Sequence, residues 1–128
     1  MRVFKGKQFA HWAKDERIQD DTLCKAAQEI IDGKVEAALG KYLYKKRVPK
    51  QGMGKSGGYR VIVAYKKPDS ERIFFIDAFS KNEKGNLSSK EEAALSKVAD
   101  AYISASEIII SQLKKKGAIF EICGGEQP

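Results

Sequence analysis

Apolar residues recur along this chain with two periods, and the changes of period divide it into elements. Val3 and Phe4 suit the start of a short strand. Over residues 7–17, Phe9, Trp12 and Ala13 fall at helical spacing, and Ile18 follows. Leu23, Ala26, Ala27, Ile30 and Ile31 then recur every three or four residues, which predicts a second short amphipathic helix. Asp20 or Asp21 is its expected N-cap, because a short side-chain oxygen can accept from an orphan backbone N–H. Gly33 suits the C′ position. From Lys41 the period drops to two: Tyr42, Tyr44 and Val48 alternate with lysines until Pro49 closes the run, which predicts a half-exposed strand. Tyr59–Tyr65 is the densest strand signal, and Arg72–Ser80 is its expected antiparallel partner across the turn Lys67-Pro68-Asp69-Ser70. A tight connection over 66–71 pairs residues whose numbers sum to about 137, which sets Arg60 near Asp77.

Ser88 and Glu91 have the spacing of a capping box, and Leu95, Val98, Ala101 and Tyr102 continue a helix behind it. Ser106 is placed to cap a further short helix containing Ile109, Ile110 and Leu113. Lys114, Lys115 and Lys116 then sit at the negative end of that helix dipole, and Gly117 stops it. Residues 118–122 suit a last short strand. Two helices, three strands and two helices, with minor strands at either end, predict an α+β fold. In it, N-terminal and C-terminal helices pack on one face of a central antiparallel sheet.

The 128 residues correspond to one compact domain, expected over 1–123, with 124–128 as a disordered polar tail. The C-terminal apolar run Ile108-Ile109-Ile110 is far shorter than the ~20 residues of a membrane span, so no membrane partner is expected. The N-terminus lacks the apolar stretch of a secretion signal, so a cytoplasmic location is expected. In that compartment Cys24 and Cys123, 99 positions apart, are expected to be two reduced thiols.

The formal charge of +7 changes this picture through its placement. Residues 41–72 hold ten basic and two acidic residues, a net +8, and the rest of the chain carries −1. Such segregation points to a polyanion-binding stripe. Tyr42, Tyr44, Tyr59 and Tyr65 interleave with it, and aromatics among cations can stack on unpaired bases. Tyr65 and one of Tyr42 and Tyr44 are expected to serve the core instead.

The loop Gly52-Met53-Gly54-Lys55-Ser56-Gly57-Gly58 contains Gly-Lys-Ser but fails as a Walker A motif: position 49 is Pro where a Gly is required, and a strand follows where a helix is required. A backbone that approaches a phosphate closely, with Lys55 aimed at it, fits the loop better. His11 is the single histidine, so a histidine-pair ribonuclease mechanism is excluded, and His11 reads as a structural or surface residue. No His, Cys, Asp and Glu cluster has metal-ligand spacing, and no cofactor is expected. Cleavage of RNA by its own 2′-hydroxyl needs a base, a cation for the pentavalent phosphorane and an acid for the leaving 5′-oxygen. Arg60, Lys81 and Lys55 are the candidates for the phosphate site, and a lysine whose pKa is lowered by neighbouring cations is the candidate base. A structural ion pair of Arg60 with Asp77 is the alternative for Arg60.

Three stretches together resemble the RelE/ParE superfamily of bacterial toxins. They are Lys45-Lys46-Arg47-Val48, the run from Gly52 to Gly58 continued by Tyr59-Arg60, and the run from Phe74 to Lys84; the opening from Phe4 to Ala13 and the step Glu36-Ala37-Ala38-Leu39-Gly40 fit with them. The Gly-Lys-x-Gly-Gly-x-Arg loop and the Lys-Asn-Glu strand end are most similar to its HigB-like branch. The resemblance covers residues 2–122. It implies a RelE-like fold, and a type II toxin that cleaves messenger RNA on the ribosome without metal and so inhibits translation. It implies Arg60, Lys81 and Lys55 as catalytic residues. It also implies a cognate antitoxin, often a helix-turn-helix protein. Lys45, Lys46, Arg47, Lys50, Tyr59, Asn82 and Lys84 are the RNA-binding candidates. Many members carry a Tyr or His near the C-terminus as acid or base, whereas the tail after Tyr102 here contains neither. A gyrase-type inhibitor of the same fold, or a basic RNA-binding module or decayed toxin, are the alternative functions.

Overall fold

The computed structural model describes residues 1–49, 58–66, 72–80 and 87–124. In chain order the elements are β1 (Arg2–Gly6), α1 (Lys7–Asp15), α2 (Asp20–Ile31), β2 (Ala37–Ala38), β3 (Leu43–Val48), β4 (Tyr59–Tyr65), β5 (Arg72–Ser80), α3 (Ser89–Ser104), α4 (Glu107–Lys115) and β6 (Ile119–Ile122). The fold is α+β, as the alternation of periods predicts. Among the described residues the strands form one sheet in the order β2-β3-β4-β5-β1-β6.

Two details of the sheet depart from expectation. It is mixed, because β1 runs parallel to β5, with Val3 beside Ile73 and Phe4 beside Phe74, while β6 returns antiparallel on the far side of β1. Helices also cover both faces, not one. Phe9 and Ala13 of α1 and Leu23, Ala26, Ala27 and Ile30 of α2 pack with Val61, Val63, Tyr65, Ile73 and Phe75. Ala99 of α3 and Ile110 of α4 pack on the other side with Phe4, Leu43, Ile62, Ala64, Phe74 and Phe79. The physical reason is visible in β4, all seven residues of which are buried. Successive side chains of a strand point to opposite faces, so a strand buried throughout needs cover on both.

The β4–β5 pairing is antiparallel, with Tyr59 opposite Ser80 and Tyr65 opposite Ile73. The register shifts between Ile62 and Val63, which face Asp77 and Phe75, so Ile76 is an extra residue on β5. Such a bulge bends the strand and re-aims the side chains beyond it. The turn sets the register one residue from expectation and the bulge adds one more, so Arg60 stands opposite Phe79, not Asp77, and Asp77 stands opposite Ile62.

Local signals are obeyed closely. Ser88 accepts from the Glu91 amide at 3.1 Å and Glu91 accepts from the Ser88 amide at 2.9 Å, completing the capping box. The Ser106 hydroxyl accepts from the Ile109 amide at 3.2 Å. Gly33 and Gly117 both adopt positive φ behind their helices. Asp20 and Asp21 lie inside the first turn of α2, where they complement the helix dipole, and the N-cap is Gln19.

Cys24 and Cys123 are joined in a disulfide, with Cα atoms 5.6 Å apart. The expectation of two reduced thiols is thereby corrected. Cys24 lies on α2 and Cys123 directly follows β6, and both pack on the same core cluster. Among the described residues no helix is long and apolar enough to cross a membrane.

Candidate nucleic-acid interface

The basic stripe falls mainly on β3 and β4, and side-chain alternation divides it between the two faces. Tyr44 and Val48 pack with the α1 and α2 cluster, and Leu43 packs with the α3 and α4 cluster. Lys46 therefore points to the first face, and Lys45 and Arg47 to the second. On β4, Tyr59 shares the first face with Val61, and Arg60 shares the second with Ile62. Arg47 is directly opposite Arg60, which is opposite Phe79, and Lys45 is opposite Ile62. Arg47, Arg60 and Phe79 thus form one row across three strands on one face.

Arg60 is 9% exposed. Its Nε donates to Glu36 Oε1 at 2.7 Å, across β3 from the residue just before β2. Glu36 is itself held by its backbone amide, which donates to the Lys45 carbonyl at 2.8 Å. The ion pair foreseen between Arg60 and Asp77 is replaced by this one. The turn and the bulge at Ile76 together set the register, and the return of the chain after α2 brings Glu36 alongside.

Two further stripe residues are turned inward. Lys46 is 8% exposed, with its Nζ 2.8 Å from Glu29 Oε1 on α2, and this hydrogen bond holds the Glu29 carboxyl below the usual carboxylate range. Tyr59 is 3% exposed, sits edge-on to Trp12 with ring centroids 5.0 Å apart, and donates its hydroxyl to Glu16 Oε1. Arg72 spans from β5 to α4, donating to the carbonyls of Tyr102 and Ala105 and pairing with Glu107 at 2.9 Å. Glu16 and Glu29 therefore fasten the N-terminal helical layer to the β3–β4 hairpin through one polar residue each, and Glu36 holds Arg60 from the chain just before β2. None of the three is marked by sequence spacing, since each belongs to a different element from its partner. The surplus of carboxylates outside the stripe is the one hint of them.

At the opposite end of β3, Lys41 and Lys66 place their Nζ atoms 5.1 and 6.0 Å from the centroid of the Tyr42 ring. Tyr65 and Tyr44 meet in the core at 6.1 Å, as expected for those positions. A cavity of about 530 Å³ lies between the turn joining α1 to α2 and the end of the β3–β4 hairpin, walled by Arg17, Thr22, Pro49 and Tyr59. No candidate catalytic residue lines it among the described residues.

Gly58 explains part of the glycine-rich motif. A Cβ built there would stand 2.6 Å from the Val48 carbonyl oxygen, so the backbone of β3 occupies the space of any side chain. The segments carrying Lys50, Lys55, Lys81, Asn82 and Lys84 leave the sheet from Pro49 and Ser80, at the same end as Arg60; those five residues, and the tail 125–128, lie outside the described residues.

Residues 1–122 match the family described as "RelE toxin of RelE / RelB toxin-antitoxin system". No curated protein matches the chain significantly.

Proposed function

Because the chain belongs to the RelE toxin family of toxin–antitoxin systems, we propose that this toxin is a ribosome-dependent endoribonuclease that cuts messenger RNA in the cytoplasm without metal. The family implies an antitoxin as its partner, and the proposed type is a helix-turn-helix protein, as in the HigB-like branch. The observation that carries the nuclease reading is Arg60. Its guanidinium is oriented by Glu36 through Nε, in a row with Arg47 and next to both connections that bear further cations. A pre-oriented guanidinium stabilises the charge of a phosphorane without reorganising during the reaction.

In this reading Arg60, Lys81 and Lys55 hold the scissile phosphate. Lys45, Arg47, Lys50, Asn82 and Lys84 contact the rest of the strand. Lys46 and Tyr59, candidates alongside them, act indirectly by bracing the hairpin against α2 and α1. The segregation of +8 into residues 41–72 favours an RNA surface over a protein target such as gyrase.

The test is induction of the chain in a bacterial host with translation and DNA topology followed together. The expected result is arrest of translation with new 5′ ends inside messenger RNA and unchanged supercoiling. Altered supercoiling with intact messengers would refute the nuclease reading in favour of the gyrase type.

A further inference from the structure

Cys24 and Cys123 are the chain's two cysteines, so the bond between them has one possible pairing within the molecule. It ties unequal partners. On one side, α2 is anchored by four buried residues, Leu23, Ala26, Ala27 and Ile30. On the other, α4 buries Ile110 and leaves Ile108 and Ile109 exposed. β6 is an edge strand of four residues that pairs with β1 alone and buries Ile119 and Ile122. A helix and an edge strand held by so few buried side chains open more readily than the core they cover. With the bond intact, the end of β6 stays pinned to α2.

The bond is also placed for exchange. Both cysteines are half-buried, and Gly124, next to Cys123, is exposed and has no side chain to block approach. Cys123 adopts a φ of 68°, in the left-handed region that is unfavourable for a residue with a Cβ. Disulfides that are reachable, or that hold the chain in an unfavourable conformation, are the ones that respond to small thiols.

We propose that Cys24 and Cys123 form a redox latch on the α4–β6 end of the protein, closed by a small-molecule disulfide such as glutathione disulfide and opened by the matching thiol. In closing, the thiolate of one cysteine attacks a sulfur of the small disulfide and releases one small thiolate. The thiolate of the second cysteine then attacks the protein sulfur of the mixed disulfide and releases the other. Two electrons pass from the cysteines to the small disulfide, and their two protons pass to the departing thiolates, so the exchange balances. Closed, the latch pins β6 to α2. Open, it lets α4 and β6 swing away together and uncover Phe4 and Phe74, which share a core cluster with Ile110, to proteases. The latch does not depend on the nuclease reading.

The experiment equilibrates the full chain in glutathione buffers that run from fully oxidised to fully reduced. Thiol titration after an acid quench counts free cysteines, and hydrogen exchange read by mass spectrometry follows residues 107–122. Free thiols should rise from none to two within the series and disappear again on reoxidation. A cross-link across 99 positions shifts an unfolding equilibrium by up to roughly 10³-fold. Opening the latch should therefore speed exchange in 107–122 at least about tenfold, at labelling times that leave Tyr59–Tyr65 protected in both states. A pair that stays oxidised in the most reducing buffer, or reduced in the most oxidising one, would overturn the proposal. Equal acceleration of 107–122 and Tyr59–Tyr65 would also overturn it, since the bond would then stabilise the fold as a whole. The Cys24→Ser, Cys123→Ser double variant should exchange like the reduced chain in every buffer. A buffer response that persists in that variant would take the opening away from this bond.

Discussion

Breaking the Cys24–Cys123 bond should weaken this fold more than the loss of any one ion pair or helix cap. The bond closes a loop across a sequence separation of 99 and joins α2 to the end of the edge strand β6. Cross-linking a chain removes conformations from its unfolded ensemble, and for a loop of about 100 residues the chain-entropy relation gives about 4.7 kcal/mol. For a domain of this length each kcal/mol moves Tm by roughly 3–5 °C, so reduction should lower Tm by roughly 15–20 °C. The folded state should survive at room temperature. β6 remains paired to β1 from Val3 to Gly6, and Glu121 remains bonded to Arg2 at 2.9 Å. Thermal unfolding followed by circular dichroism, with and without a phosphine reductant, measures the shift; thiol titration establishes the redox state of each sample. The Cys24→Ser, Cys123→Ser double variant should melt with the reduced protein and ignore the reductant. If a sample with two titratable thiols melts within about 2 °C of the oxidised one, the entropic argument fails for this chain.

Further expectations follow from single contacts. Arg60→Ala should reduce cleavage roughly 10²–10³-fold, about 2.7–4 kcal/mol of transition-state stabilisation. It should move Tm little, because Glu36 is exposed enough for water to solvate it; a loss of toxicity that merely tracks a loss of stability would remove Arg60 from the catalytic set. Gly58→Ala should cost about 1–3 kcal/mol in urea unfolding, the range for a side chain forced into filled space, since its Cβ meets the Val48 carbonyl. Ser88→Ala should cost about 1 kcal/mol by loss of the capping box. Acid should destabilise the fold in a defined window. The Arg2 hydrogen bond, helped by Lys114, lowers the Glu121 carboxyl from 4.5 to about 2. A carboxyl lowered on folding contributes stability that is fully present above 4.5 and lost as the pH falls toward 2. Glu29, lowered by Lys46, acts in the same sense. Glu121→Gln should flatten that acid limb in a series of melts, and an unchanged limb would refute the assignment.

Much of this protein is local, and the local part is legible in the order of residues. β4 and β5 begin and end where their apolar runs do, and Ser88 with Glu91, Ser106, Gly33 and Gly117 mark helix ends. These features rest on hydrogen bonds spanning three or four residues and on the periods of the two regular structures, so the chain carries them without reference to distant parts. Arg60, too, stands out by its place behind the glycine-rich loop. What the tertiary structure decided is which distant residues meet. The parallel placement of β1 beside β5 depends on a crossover through both N-terminal helices and three strands. The residue of β5 that faces Arg60 depends on the turn and on one extra residue at Ile76, and a single inserted residue re-aims the side chains beyond it. Glu36 at Arg60, Glu29 at Lys46 and Cys24 at Cys123 join elements whose separation in sequence carries no signature of contact. Such pairs form because both faces of β4 must be covered: the helices that cover them bring Glu29 and Cys24 along, and the return of the chain after α2 brings Glu36.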